Sequence, residues 1–167
     1  MIIILLAKIT KMSWFDHPEI QGVIQNLFNL QTMGNERLLL LSLTAIHDII
    51  IEMSYVHRVK NLNVNRRISL SFRDSQLYAI FKQSLQHVDH FINQVSTQQA
   101  MQQIAITNQN PMGLPERSNM MTESLLQALC ILERALSFDF TAILLNETLD
   151  DPITTNIPTS WAPFIVD

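Results

Sequence analysis

Two histidines spaced three positions apart, His87 and His90, have the types and spacing best suited to metal chemistry in this sequence. On a helix, residues at i and i+3 lie on the same side, and Asp89 stands between these two. Zinc sites in proteins need three or four ligands at recognisable spacing, and the remaining histidines of the chain do not extend the pair. The sequence therefore predicts surface histidines here and no metal site.

Nucleophilic and phosphate-binding chemistry also lack candidate residues. Cys130 is the one cysteine of the sequence, so no internal disulfide can form. It lies in an apolar stretch, where a thiol usually packs as a small core residue, and it lacks the sequence surroundings of a catalytic cysteine. Three separated glycines cannot build a phosphate-binding loop. We expect no catalytic residue and no cofactor, and so a protein that is not an enzyme.

Net charge argues against nucleic-acid binding, and the length of the apolar runs argues against insertion into a membrane. The net charge is -4, whereas binding to a phosphate backbone relies on clustered Lys and Arg. No apolar run approaches the roughly 18 residues that span a bilayer. One basic string, Arg66-Arg67-Ile68-Ser69, resembles a substrate of a basophilic kinase. Ser69 is thus a candidate phosphorylation site, and a solvated basic loop is the alternative interpretation.

The elements that carry these residues are expected to be helices. Hydrophobic residues make up 47% of the chain, with few glycines and prolines, which favours long helices over many tight turns. Asp16 is predicted to cap the second helix, with Pro18 in its first turn. The fourth helix is predicted to start at Ser71 or Asp74. Apolar spacing predicts five helices, at about residues 1–12, 18–31, 36–55, 73–95 and 118–137.

The segments between the helices are predicted from their polar composition. Residues 57–70 are expected to form a basic connection, and residues 96–117, rich in Gln and Asn, a surface loop. Beyond the fifth helix, residues 138–167 are expected to form an extended tail, because Pro152 and Pro158 interrupt any helix.

Each predicted helix carries an apolar face. The third has a stripe that includes Ile46, and the fifth a leucine stripe that includes Leu129, so Asp at either position is expected to unfold the protein. The first helix is apolar on nearly every side, with Ile2, Leu5, Leu6, Ile9 and Met12 at helical spacing. It is expected to be sandwiched between neighbours, as in a piece of a longer array.

Together these elements predict an all-α protein, with residues 1–167 forming one repeat segment. A leftover helix at about 1–12 is followed by hairpins at about 18–55 and 73–137, and then by the tail. Hairpins that cannot cover their own apolar faces stack on one another, as in a HEAT- or armadillo-like α-α superhelix. A compact bundle of four or five helices is the structural alternative.

Three stretches of the chain resemble a known family. They are Lys8-Ile9-Thr10-Lys11-Met12-Ser13-Trp14-Phe15-Asp16, then Ser71-Phe72-Arg73-Asp74-Ser75, and then Ser137-Phe138-Asp139-Phe140 with Ile157-Pro158-Thr159-Ser160-Trp161. In this order they resemble motifs of the exportin-7-like branch of the importin-β superfamily, within the N-terminal half of those receptors.

The resemblance implies a nuclear transport receptor. Members of that family are HEAT-repeat carriers that bind Ran in its GTP form together with a protein cargo, contact nuclear pore proteins, and shuttle between nucleus and cytoplasm. A Ran-independent helical scaffold or adaptor in the cytosol is the alternative function that we retain.

The same resemblance implies that the second helix of each hairpin lines the partner-binding surface. Opposite the buried stripes of the third and fifth helices lie Asp48 with Glu52, and Glu123 with Gln127, each pair one turn apart. These four residues are the predicted partner-facing positions, since two neighbouring acids are tolerable where a basic partner covers them. An ordinary solvated helix face is the alternative.

Overall fold

The computed structural model describes the backbone of residues 1–54, 62–105 and 116–138, and the side chains of 1–54, 63–94 and 120–138. Every element within these ranges is helical, so the all-α prediction is confirmed. The elements are α1 (Ile2–Met12), a 3-10 turn (Pro18–Gly22), α2 (Val23–Gln31), α3 (Glu36–Ser54), α4 (Leu62–Phe72), a π-helical turn (Arg73–Leu77), α5 (Tyr78–Ala105) and α6 (Glu116–Leu136).

Helix α2 starts differently from the prediction. Pro18 opens the 3-10 turn, as its fixed φ angle suits a helix start, but the residue before the turn is His17 in an extended conformation, and no side chain caps it. Asp16 as the N-cap was therefore wrong. The next helix does have a side-chain cap, because Asn35 Oδ1 accepts a hydrogen bond of 2.9 Å from the Arg37 N–H. Gly34 precedes it with a φ of 70°, which glycine adopts without strain.

Helix α3 lies at the centre of the fold and packs against α1, α2, α4 and α6. Its predicted stripe is buried, with Leu43, Ile46, Ile50 and Met53 at most 1% exposed. Ile49 and Ala45 widen the buried side, which is what a helix covered by several neighbours requires. The stacked packing of helices that the sequence predicted is thus observed in the described part of the chain.

Helices α4 and α5 form one continuous helix from Leu62 to Ala105, interrupted only by the π-helical turn. The predicted basic connection was wrong for residues 62–70, and the predicted start at Ser71 or Asp74 was wrong as well. Residues 55–61 lie outside the described residues. Arg and Asn are compatible with a helix, so the polar composition that indicated a loop reflected only the weak burial of α4.

The π-helical turn determines which side of α4 and which side of α5 face the core. In a regular α-helix, residues five apart such as Phe72 and Leu77 would point about 140° away from each other. The turn accommodates one additional residue, so both side chains are fully buried against the same core. The Ser75 hydroxyl, which lies in the turn, donates a hydrogen bond of 2.7 Å to the main-chain carbonyl of Ser71.

The Gln-rich stretch is partly helical. Helix α5 continues to Ala105 and α6 begins at Glu116, so the loop predicted for 96–117 was wrong at both ends, and 106–115 lie outside the described residues. The predicted tail also lies outside them, apart from its first residue, Phe138. None of the helices in the described ranges combines the length and apolarity needed to cross a membrane.

Helix α6 has the predicted position but a different buried face. Ser124, Ala128, Ile131 and Ala135 are at most 1% exposed, whereas Leu129 of the predicted leucine stripe is 44% exposed. The helix packs against both α3 and α5. Small side chains allow such close approach to two helices, so they occupy the centre of the contact and the leucines lie at its edge.

Candidate protein interface

Described residues from each of the three stretches that carried the sequence resemblance meet in space. The Trp14 side chain is fully buried, its Nε1–H donates a hydrogen bond of 3.1 Å to Ser71 Oγ, and its ring meets that of Phe72 edge-on at 5.7 Å. Phe72 in turn packs against Phe138, with ring centroids 6.1 Å apart. One aromatic cluster, Trp14, Phe72 and Phe138, therefore joins the turn after α1, the end of α4 and the end of α6.

A buried cation joins α1 to the end of α3. Lys11 is 3% exposed, and its Nζ donates a hydrogen bond of 2.6 Å to the main-chain carbonyl of Glu52. The same Nζ lies 3.8 Å from Glu52 Oε1. Burial lowers the pKa of Lys11 from its ordinary 10.5, while the Glu52 carboxylate acts in the opposite direction. The hydrogen bond to a carbonyl in the last turn of α3 also suits a cation at a helix C-terminus.

The four predicted partner-facing residues occupy different surroundings. Glu52 contacts Lys11 and is half-buried, so it does not form an open acidic pair with Asp48. Asp48 is half-buried, and its Oδ1 lies 3.5 Å from His47 Nδ1. Glu123 is exposed. The buried Gln127 Oε1 has no hydrogen-bond partner among the described residues. Glu123 is the most exposed of the three carboxylates, while the side chains of Asp48 and Glu52 are 27% and 19% exposed.

Helix α1 carries a stripe of exposed apolar side chains, whereas the sequence predicted a helix sandwiched between neighbours. Ile2, Leu5, Ile9 and Met12 are 84%, 57%, 45% and 77% exposed, and spacings of three, four and three residues place them in one stripe. The covered side of α1 carries the buried Ala7, Thr10 and Lys11, and Ile3 and Leu6 are partly buried against the core beside them. Among the described residues this α1 stripe is uncovered, so the sandwiching of α1 between neighbours in a longer array stays a prediction.

A second exposed patch combines an aromatic ring and a cation. The Arg67 guanidinium carbon lies 5.6 Å from the centroid of the Phe15 ring, which is 47% exposed, in a cation–π arrangement. Val64, one turn before Arg67 on α4, is 47% exposed as well. This pairing was not predicted, because Arg67 was assigned to the basic connection at residues 57–70.

Ser69 lies within helix α4 and is half-buried, so the loop context expected for this candidate phosphorylation site was wrong. On a helix, Ser69 has Arg66 three residues before it and Arg73 four residues after it, both on its own side. Whether Ser69 is phosphorylated stays a prediction.

The two histidines considered for metal binding have separate environments. His87 is half-buried, and its Nε2 lies 2.8 Å from Gln31 Oε1, linking α5 to α2. Burial lowers the pKa of His87 from 6.5, and the charge of His90 lowers it further. His90 is exposed and lies 2.7 Å from Gln94 Nε2. Surface placement was thus right for His90 and wrong for His87. The described residues contain no group of three metal-binding side chains.

Comparison with known proteins supports the resemblance. The chain is 27% identical over 166 residues to exportin-7-B of Xenopus laevis, a match that covers 98% of this chain and 14% of that protein. It is 28% identical over 171 residues to Ran-binding protein 16 of Drosophila melanogaster, with the same two coverages. Ran-binding protein 17 of Homo sapiens is 24% identical over 165 residues, which is 97% of this chain and 14% of that protein.

No family model and no solved structure matches the chain. The chain spans about one seventh of the length of the relatives that it matches, at 14%. Over nearly all of its residues, the chain is a distant homologue of a short segment of exportin-7 and of Ran-binding proteins 16 and 17.

Proposed function

We propose that this chain is a protein-binding segment of an exportin-like nuclear transport receptor, in which stacked helices contribute a surface for Ran in its GTP form and for protein cargo. On this proposal it works in nucleus and cytoplasm, passes the nuclear pore complex by contacts with its proteins, and performs no catalysis. The observation that carries the proposal is the homology over 98% of the chain to exportin-7. The name of Ran-binding protein 16 supplies Ran as the partner.

The aromatic cluster supports the proposal, because its residues lie in the stretches that resemble the exportin-7-like family. Trp14, Ser71, Phe72 and Phe138 all lie in the stretches that resemble the exportin-7-like family, and they contact one another across three separate parts of the chain. A shared set of residues that holds α1, α4 and α6 together is what a common packing of these helices requires. The proposal is therefore supported by sequence identity and by the contacts that residues of the shared stretches make in this chain.

The uncovered α1 stripe fits the same proposal. Each repeat of a helical solenoid buries its apolar faces against the repeats beside it. A stripe made of Ile2, Leu5, Ile9 and Met12 is suited to cover a neighbouring helix in this way. We infer that α1 is the contact between this segment and an adjoining helical element.

The surface proposed to meet Ran includes Asp48 on α3 and Glu123 on α6. Asp48 is half-buried and Glu123 exposed, and the two helices pack directly on each other. Carboxylates at an interface mainly accelerate association with a basic partner and select against acidic ones. Reversal of their charge is thus expected to weaken binding to Ran without unfolding the chain.

The test is binding of the 167-residue chain to Ran loaded with GTP or with GDP, measured at low and at physiological salt. The proposal predicts selective binding of the GTP form, which weakens several-fold in Asp48→Lys combined with Glu123→Lys. Asp89→Lys, on the exposed side of α5, is the matched control and is expected to bind like the unmodified chain. Equal binding of both nucleotide states would contradict the proposal.

The retained alternative is a Ran-independent helical scaffold or adaptor in the cytosol. The exposed α1 stripe is the observation that favours it, because such a stripe can bind a partner helix without any nucleotide-dependent protein. Under this alternative, Leu5→Gln with Ile9→Gln abolishes partner binding while the nucleotide state of Ran has no effect.

A further inference from the structure

Helix α1 is buried on one side only. Its residues Ala7, Thr10 and Lys11 are at most 3% exposed. At about 100° per residue, the direction that these three share is opposite to the centre of the α1 stripe. A helix that packs on the stripe would therefore lie on the far side of α1 from the core, and it would displace none of the described helices.

The spacing and the residue types of the stripe match the seam of a two-stranded coiled coil. Intervals of three, four and three residues place Ile2 and Ile9 at heptad position a, and Leu5 and Met12 at position d. Ile at a with Leu at d favours two parallel strands, and Met has a volume similar to that of Leu. The buried residues of α1 fall at positions b, c and f, which a coiled coil leaves outside its seam.

Lys8 distinguishes between the two possible directions of a partner helix. It is exposed and occupies position g, at the edge of the seam. In an antiparallel pair the g positions of the two helices face each other, so Lys8 would meet the partner's Lys8 and the two cations would repel. In a parallel pair, position g lies beside position e of the next heptad in the other helix, which is Ser13. The parallel direction therefore avoids the repulsion.

The stripe exposes enough apolar surface for a specific pair. Ile2 and Met12, at its two ends, are 84% and 77% exposed. With the exposed Met1 beside it, the stripe presents roughly 700 Å² in each copy, so a symmetric pair buries about 1,200 Å², above the roughly 1,000 Å² that a specific interface needs. The core already holds α1 as a helix, so pairing does not have to supply the cost of helix formation.

We propose that the adjoining helical element that covers the α1 stripe is α1 of a second copy of this chain, in a parallel and symmetric pair. A two-fold axis along the seam makes each stripe residue meet its own counterpart, so Leu5 packs on the partner's Leu5 and Ile9 on the partner's Ile9. This inference rests on the part of the proposed function that makes α1 a contact with an adjoining helical element. It does not depend on binding to Ran.

Single-cysteine variants of the full 167-residue chain, in a Cys130→Ala background, test the pairing and its direction. In the parallel pair Leu5→Cys alone and Ile9→Cys alone should each form disulfide-linked dimers with oxidised glutathione, because identical positions meet across the seam. We expect yields several-fold above that of Lys82→Cys, the control at an exposed position of α5. An antiparallel pair would give its highest yield in a mixture of the Leu5→Cys and Ile9→Cys chains, and that result would overturn the proposal. Yields equal to the control would overturn it as well.

Sedimentation equilibrium of the unmodified chain is the second readout. We expect a reversible monomer–dimer equilibrium, with a dissociation constant that rises at least tenfold in Leu5→Gln with Ile9→Gln. Leu126→Gln, which alters an apolar side chain of α6 that is 54% exposed, is the matched control and should dimerise like the unmodified chain. A chain that stays monomeric at several hundred micromolar would overturn the proposal and leave the stripe to a helix of another protein.

The two proposals fail separately. Selective binding of the GTP form of Ran by a chain that does not dimerise would overturn this inference and leave the transport function in place. Dimerisation through α1 without any binding to Ran would overturn the transport function and leave the symmetric pair in place.

Discussion

The indole N–H of Trp14 donates a hydrogen bond of 3.1 Å to the Ser71 hydroxyl, 57 residues further along the chain. This bond satisfies the one polar group of a fully buried tryptophan, and it ties the turn after α1 to the last part of α4. Because Ser71 also precedes Phe72, which meets the Trp14 ring edge-on, the polar contact and the ring contact together hold α4 against the turn after α1.

Truncation of Trp14 should be among the most damaging changes in the chain. Trp14→Ala is expected to lower the free energy of unfolding by about 3 to 5 kcal/mol, because it leaves a large cavity beside Phe72. Trp14→Phe keeps most of the ring and loses the hydrogen bond, so a loss of about 1 to 2 kcal/mol is expected. Urea unfolding measures both. Equal losses in the two variants would show that the ring does not fill the cluster.

Replacement of Lys11 by Met should destabilise the contact between α1 and α3. The variant keeps the aliphatic stem but loses the charged hydrogen bond to the Glu52 carbonyl, at an expected cost of about 1 to 3 kcal/mol in urea unfolding. A second change, Glu52→Met, should cost less in the Lys11→Met background than alone, because the buried pair acts as a unit. Strict additivity of the two changes would contradict that coupling.

His87 should make the stability of the protein sensitive to pH in the mildly acidic range. Its pKa is lowered by burial in the folded state, so below pH 6.5 the unfolded chain binds more protons at this position than the folded one. The free energy of unfolding should therefore fall as pH falls from 6.5 through the lowered pKa. Unfolding measured between pH 7 and pH 5 should show a smaller decline in His87→Gln, and a slightly smaller decline in His90→Gln as well, because the charge of His90 contributes to the lowered pKa of His87.

Helix α6 offers a direct check of the observed buried face. Ile131→Asp places an unpaired carboxylate in a fully buried position and should abolish cooperative unfolding. Leu129→Asp alters a side chain that is 44% exposed, so a loss of about 1 kcal/mol or less is expected. Circular dichroism during heating distinguishes the two. The reverse order of damage would restore the leucine stripe predicted from sequence.

The α1 stripe should govern association rather than stability. Leu5→Gln with Ile9→Gln changes exposed positions, so the free energy of unfolding should shift by about 0.5 kcal/mol or less for each change. Analytical ultracentrifugation should show less self-association, because the exposed apolar area decreases. Thr10→Leu, on the buried side of α1, is the contrasting variant and should cost stability without any gain in solubility.

The sequence predicted those helices whose apolar residues recur at helical spacing, and it failed where that signal is weak. Helix α3 was predicted with its buried stripe because Leu43, Ile46, Ile50 and Met53 are large, regular and covered on several sides. Helix α4 and the end of α5 were missed because Arg, Asn and Gln indicate loops by composition although they tolerate helices well.

The candidate interface was harder to predict than the fold, for reasons that involve neighbouring helices. Glu52 stays a predicted partner-facing residue, but nothing in its local sequence identifies Lys11, 41 residues away, as the residue that contacts it. The face of α6 was misassigned because size suggested the leucines, whereas close contact with two helices selects Ala128 and Ala135. Local patterns predict that a residue lies in a helix, and only tertiary packing decides which side is covered.

The π-helical turn at Arg73–Leu77 makes chain length, and not only residue type, a determinant of packing. Loss of one residue from this turn would restore a regular helix and rotate α4 by about 100° relative to α5. Phe72 would then leave the aromatic cluster, and Arg66 and Arg67 would move to a different side of the molecule. A descendant of this chain that lost one codon here would thus inherit every side chain of the cluster and still have to repack its core.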